Sequence, residues 1–72
     1  MHDWINVVSS RASAVAYDRD EHTIYVRFRD GVVYRYDSCS PEDWSGLTAP
    51  GTSIGRYISR VLDRHPYGPV QQ

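Results

Sequence analysis

The chain has 72 residues, 40% of them hydrophobic and 24% charged; that allows one domain with a thin core and little more. Nine acids against eight basic residues leave a net charge of −1, which excludes a global electrostatic pull toward nucleic acid. A single cysteine, Cys39, excludes an internal disulfide framework and fits a reducing compartment.

No stretch approaches the length of a membrane span. Met1 to Ser10 holds Asp3 and Asn6 and no apolar run, so no signal peptide is read and a cytoplasmic location is expected. All eight basic residues are arginine. That usage fits a GC-rich genome, or a surface that grips carboxylates, phosphates or aromatic faces with a planar fork.

Met1 to Val8 carries Trp4, Ile5, Val7 and Val8. It reads as an arm, either a short strand or loosely held, with Trp4 packed under a sheet edge or serving as a partner anchor. Ser9 to Asp18 alternates weakly, with Val15 and Tyr17 on one face and Ala14 and Ala16 on the other. It predicts a first strand, antiparallel to the next through the polar turn Asp18 to His22.

Thr23 to Asp37, TIYVRFRDGVVYRYD, is the strongest element and predicts a β-hairpin turning at Asp30-Gly31. A two-residue loop would set Arg35 opposite Val26 and Asp37 opposite Ile24, a poor core. A three-residue loop of Arg29, Asp30 and a left-handed Gly31 instead pairs Phe28 with Val32, Val26 with Tyr34 and Ile24 with Tyr36. One face becomes Ile24, Val26, Phe28, Val32, Tyr34 and Tyr36; the other holds Tyr25, Arg27, Val33 and Arg35. The second register is preferred because a buried face resists slippage.

Ser40-Pro41-Glu42-Asp43 starts a short helix, Pro41 to Leu47: a serine cap, proline at the first position and acids at the positive end of the dipole. Trp44 and Leu47 share its buried side. Gly46, Pro50 and Gly51 then force a loop. Thr52 or Ser53 caps a second helix, Ile54 to Asp63. Its stripe of Ile54, Tyr57, Ile58, Val61 and Leu62 suits a lid over the hairpin. Gly55 suggests close packing against the sheet. Arg56, Arg60 and Arg64 follow one another at intervals of four along another face. Pro66 and Pro69 end regular structure, and His65-Pro66-Tyr67 should fold back as an extended tail.

The expected fold is α+β: a three-stranded antiparallel β-meander covered on one face by one short and one longer C-terminal helix. Residues 1–8 form an arm, 9–67 a single domain and 68–72 a tail.

Catalytic chemistry finds no foothold. His2, His22 and His65 are scattered, with no pair at metal-ligand spacing. Cys39 would meet a histidine only through tertiary folding. Gly51 and Gly55 lack the ending of a phosphate loop. Glu42 and Asp43 read as helix-capping acids. No enzyme activity, cofactor, metal or small-molecule substrate is expected.

Several motifs recur in a familiar order: Ser9-Ser10, Ala16-Tyr17-Asp18, the YxY of Tyr34-Arg35-Tyr36 after a hairpin turn, Ser53-x-Gly55-x-Tyr57 and the closing His65-Pro66-Tyr67. Together, over about Val8 to Tyr67, they resemble the KTSC domain. That domain is named for its occurrence at the C-terminus of some lysyl-tRNA synthetases and also occurs alone in small bacterial and phage proteins. The resemblance implies a small sheet with helical cover, no known catalysis and a role in RNA binding. Met1 to Val7 precedes the family's usual start, so nothing carries over to it. A second resemblance, in size and opening segment, is to small bacteriophage transcription regulators that bind bacterial RNA polymerase, block initiation and promote antitermination. No binding residue carries over from it.

Two functions are therefore expected of a non-enzymatic binding protein. The first is a transcription regulator docking on bacterial RNA polymerase or another protein, favoured by the near-neutral charge. The alternative is an RNA-binding module of the translation-machinery type. Candidate contacts are Trp4 and Ile5 in the arm, Tyr25, Arg27 and Arg35 on the outer sheet face, and Arg56, Arg60 and Arg64 on the helix. Tyr34 and Tyr36 read as a core pair under the helical lid, with base stacking as the alternative.

Overall fold

The computed structural model describes residues 3–70. His2, with the outermost residues of the arm and tail, lies outside the described residues. The fold is α+β, built on a five-stranded antiparallel sheet in simple sequential order: β1 (Ile5–Asn6), β2 (Ala12–Asp18), β3 (Thr23–Phe28), β4 (Val33–Tyr36) and β5 (Tyr67–Pro69). Helices α1 (Pro41–Leu47) and α2 (Ile54–Arg60), then a 3-10 turn (Leu62–Arg64), form the excursion between β4 and β5.

The expected meander is the middle of this sheet, but it has five strands rather than three. The arm supplies β1, with Ile5 opposite Val15. The tail supplies β5, with Tyr67 opposite Tyr36 and Pro69 opposite Tyr34. Both runs are too short to show a period of two, and prolines mark the tail as broken. An edge strand tolerates proline because one side of its backbone needs no partner.

The hairpin takes the three-residue loop. Phe28 N–H donates to the Val32 carbonyl and Gly31 N–H to the Phe28 carbonyl, each at 2.9 Å. Gly31 has φ +91°, a conformation costly for any residue with a Cβ. Val26 faces Tyr34 and Ile24 faces Tyr36, as the pattern requires. The two valines after the turn exchange their expected environments. Val32 is 40% exposed, whereas Val33 is buried. The helices stop short of the hairpin tip, while Val33 lies opposite Arg27 and accepts the Val70 N–H at 2.8 Å.

The cap of α1 forms as its sequence dictates: Ser40 Oγ accepts the Asp43 N–H at 3.1 Å, and the Asp43 carboxylate accepts the Ser40 N–H at 3.0 Å. A reciprocal box of this kind stabilises a helix start by about 1 kcal/mol. The second helix is shorter than its apolar stripe. It ends at Arg60, and the last expected turn tightens into the 3-10 segment. Pro66 disfavours helical geometry just before it, and the chain must turn back toward β4.

The core lies between the sheet and the helices. Val15, Ile24, Val26, Leu47, Ile58 and Leu62 are fully buried, each contributing roughly 1.5–3 kcal/mol by leaving water. Gly46 is where α1 approaches α2: a Cβ there would sit 2.9 Å from Tyr57 Cζ. Gly55 plays the close-packing role expected of it, against Arg11 rather than the sheet itself, at 3.1 Å from Arg11 Cδ to a built Cβ.

Candidate functional site

The helical cover is incomplete. Ile54, Ile58 and Leu62 seal Ala12, Val15, Ile24 and Val26 into one cluster. Farther along the same face, toward the hairpin tip and β5, no helix of the described residues lies over the sheet. Phe28 and Tyr34 are half-buried there, and Tyr67 is 53% exposed. These rings line an open groove of about 530 Å³, with buried Tyr36 contributing to its wall.

The rings form a continuous track. Phe28 meets Tyr34 edge-on at 5.5 Å between centroids, Tyr34 meets Tyr67 at 6.2 Å, and Tyr67 meets Tyr36 at 5.4 Å. Three strands supply them, so the track exists only because β5 returns beside β4. Burial, with Asp63 adding to it, pushes the Tyr36 hydroxyl up to about 12, so it stays protonated and neutral at physiological pH.

Charges of both signs border the groove. Arg11 donates from Nη1 to the Gly55 carbonyl at 3.1 Å and to Ser59 Oγ at 2.9 Å. These bonds hold its guanidinium 5.8 Å from the Phe28 centroid. Arg29 donates to the Ser9 carbonyl at 2.8 Å. Asp30 and Asp63 stand on the same border. Flat rings with guanidinium donors beside them can stack planar groups and hydrogen-bond to anionic or carbonyl oxygens.

The residues singled out from the sequence are distributed over several surfaces. Trp4, Tyr25, Arg27 and Arg35 come together on the outer sheet face. Arg27 lies over the Trp4 ring at 4.4 Å, Tyr25 is opposite Arg35, and Arg35 reaches Asp37 at 3.5 Å. Ala14 and Ala16, fully buried on this outer face, leave room for those larger side chains. Ile5 is 48% exposed and turned with Val15 toward the other face. Arg56 and Arg60 are exposed on α2, but Arg64 lies on the 3-10 turn, so the arginine stripe is not one helical row.

Tyr36 has the core role expected of it, and Tyr34 only half of one. Arg11, Arg29, Phe28 and Tyr67 were not among the candidates. The signal visible in the sequence was the closing His65-Pro66-Tyr67 motif; the irregularity in the β2–β3 register between Ala12 and Ala14 appears only in the fold. The extra β2 residue turns Ala12 to the face that Phe28 already occupies by the period of β3.

Folding also gathers residues that look scattered in sequence. Cys39, Asp43 and His65 place donor atoms within 4.8 Å of one another. Burial, reinforced by nearby Asp43, pushes the Cys39 thiol up to about 11, which makes it a poor free nucleophile.

Fold and groove together define a small α+β sheet domain with an aromatic cleft beside its helical cover. The chain belongs to the KTSC domain family, whose family model matches residues 8–67. It is 30% identical over 59 residues to an uncharacterized protein of Stutzerimonas stutzeri (strain A1501), covering 82% of each chain. A crystal structure of a KTSC domain protein from Yersinia pestis shares the fold, with a TM-score of 0.90 at 21% identity, covering 99% of this chain and 100% of that one. Among the described residues no helix is long and apolar enough to cross a membrane.

Proposed function

We propose that this chain is a non-enzymatic binding module that holds single-stranded RNA on the aromatic groove. The observation that carries this reading is the track of Phe28, Tyr34, Tyr67 and Tyr36 in one open cleft, with Arg11 and Arg29 beside it. Stacking a base on an aromatic side chain contributes roughly 1–3 kcal/mol and tolerates any base. The arginines reach phosphate or base edges. Asp30 and Asp63 partly offset them, so affinity is modest and falls shallowly with salt, since few counterions are released. Titration of a short labelled pyrimidine RNA at low salt, read by fluorescence anisotropy, tests it. Saturable binding lost in Tyr34→Ala supports the groove; no binding at high micromolar protein rejects it.

A second reading rests on a different surface. The Trp4–Arg27 stack on the outer face has the composition of a protein-binding hot spot, and the net charge of −1 suits a protein partner. On this reading the chain docks on bacterial RNA polymerase as a transcription regulator of the phage type, inhibiting initiation or promoting antitermination. Tyr25 and Arg35 add to that face, and Arg56, Arg60 and Arg64 offer a flank. Co-purification with polymerase after nuclease treatment, lost in Trp4→Ala, distinguishes it from the RNA reading. Both readings place the chain in the cytoplasm of a bacterium or an infected host cell.

A further inference from the structure

We propose that Cys39, Asp43 and His65 form a binding site for one divalent cation of the zinc class. Cys39 comes from the loop after β4, Asp43 from the first turn of α1 and His65 from the segment after the 3-10 turn. A sulfur, a carboxylate oxygen and an imidazole nitrogen thus converge, all within 4.8 Å of one another. Zinc holds sulfur at about 2.3 Å and nitrogen or oxygen at about 2.0–2.2 Å, so tetrahedral ligands stand roughly 3.3–3.8 Å apart. His65 Nε2 and Asp43 Oδ2 are already 3.5 Å apart. A shift of the cysteine side chain completes the geometry, and water takes the fourth position.

The surroundings hold these residues in place. Ser40 N–H donates to the Asp43 carboxylate at 3.0 Å. The Tyr17 hydroxyl donates to the Cys39 carbonyl at 2.8 Å, and the Tyr57 hydroxyl to the Asp43 carbonyl at 3.0 Å. The first is an outer partner of the kind that orients a ligating side chain; the other two fix the backbone that carries Cys39 and Asp43. Sulfur and imidazole donors select zinc or cobalt over magnesium and calcium, which take oxygen ligands. On binding, the thiol releases its proton to solvent and gives up its hydrogen bond to the Tyr36 carbonyl, 3.3 Å long in this structure. The sulfur then coordinates as thiolate. The cation ties the β4–α1 loop to the lead-in of β5, the strand that carries Tyr67. The site does not depend on what the groove binds.

Chelator-treated protein titrated with Co²⁺ at neutral pH tests the proposal. One ion per chain should bind with a near-ultraviolet thiolate-to-cobalt absorption, Zn²⁺ should displace it, and Zn²⁺ should raise the melting temperature. Cys39→Ser should abolish the absorption, with circular dichroism confirming its fold. His65→Gln, at a partly exposed position, should weaken binding more than the roughly 10–100-fold expected for losing an outer partner. His22→Gln and His2→Gln should bind as the unaltered chain does. No thiolate absorption at one equivalent, uptake unchanged in His65→Gln, or uptake lost in His2→Gln overturns it.

Discussion

On β3, Ile24 and Val26 are fully buried, while Phe28, next along the same face, is half-buried. β4 repeats the contrast, with Tyr36 buried and Tyr34 half-buried. One side of each ribbon thus serves two ends: under the helices it is core, and beyond them it is a cleft. The strand pattern is the same in both places. The boundary is set by the reach of the helical cover, Ile54 and Ile58 of α2 with Leu62 of the 3-10 turn, which seals only part of the sheet. A cleft can therefore be left open by partial helical cover without an added loop.

Substitution should separate the two halves, most strongly in the covered one. Ile58→Ala removes a fully buried side chain and should cost about 2–5 kcal/mol in urea unfolding. A loss below 1 kcal/mol would show that the lid is not the core.

The covered half should also fail at high pH. Tyr36 titrates at about 12 in the fold, against an ordinary value of 10.0. The unfolded chain then loses its proton first, so the contribution is complete below about pH 10 and is lost as pH rises toward 12. Its size is on the order of 2–3 kcal/mol. Denaturant melts across that range should show the decline, and Tyr36→Phe should flatten part of it. An equal decline in the variant would assign the effect elsewhere.

Ser40→Ala removes the side-chain half of the cap on α1 and should cost about 1 kcal/mol. The smallest stability effect is expected in the cleft. Tyr67→Ala, at an exposed ring, should change stability by less than about 1 kcal/mol. It should nevertheless weaken RNA binding by about 5-fold or more, the equivalent of one lost stack. A large loss of stability with unchanged binding would invert the contrast between the halves.

Much of the covered half was legible in the sequence. Gly31 and the alternation around it determine the hairpin register, Ser40 and Pro41 start α1, and the spacing of Ile54, Ile58 and Leu62 identifies the lid. The cleft was not legible, because Phe28 and Tyr34 obey the same period as Ile24 and Val26. What separates them is how much of the face the helical cover reaches, which the spacing of its stripe does not show. β1 and β5 escaped because two or three residues carry no period and Pro69 reads as a breaker. Cys39, Asp43 and His65 escaped because their meeting is tertiary.

The sheet's two margins are its shortest strands, two residues in β1 and three in β5, the latter including Pro69. A foreign strand arriving at either margin finds few amides and carbonyls to pair with. Growth of fibrils by edge-on addition is thereby denied a template, and a domain this small can expose an aromatic cleft without inviting its copies to stack into one continuous sheet.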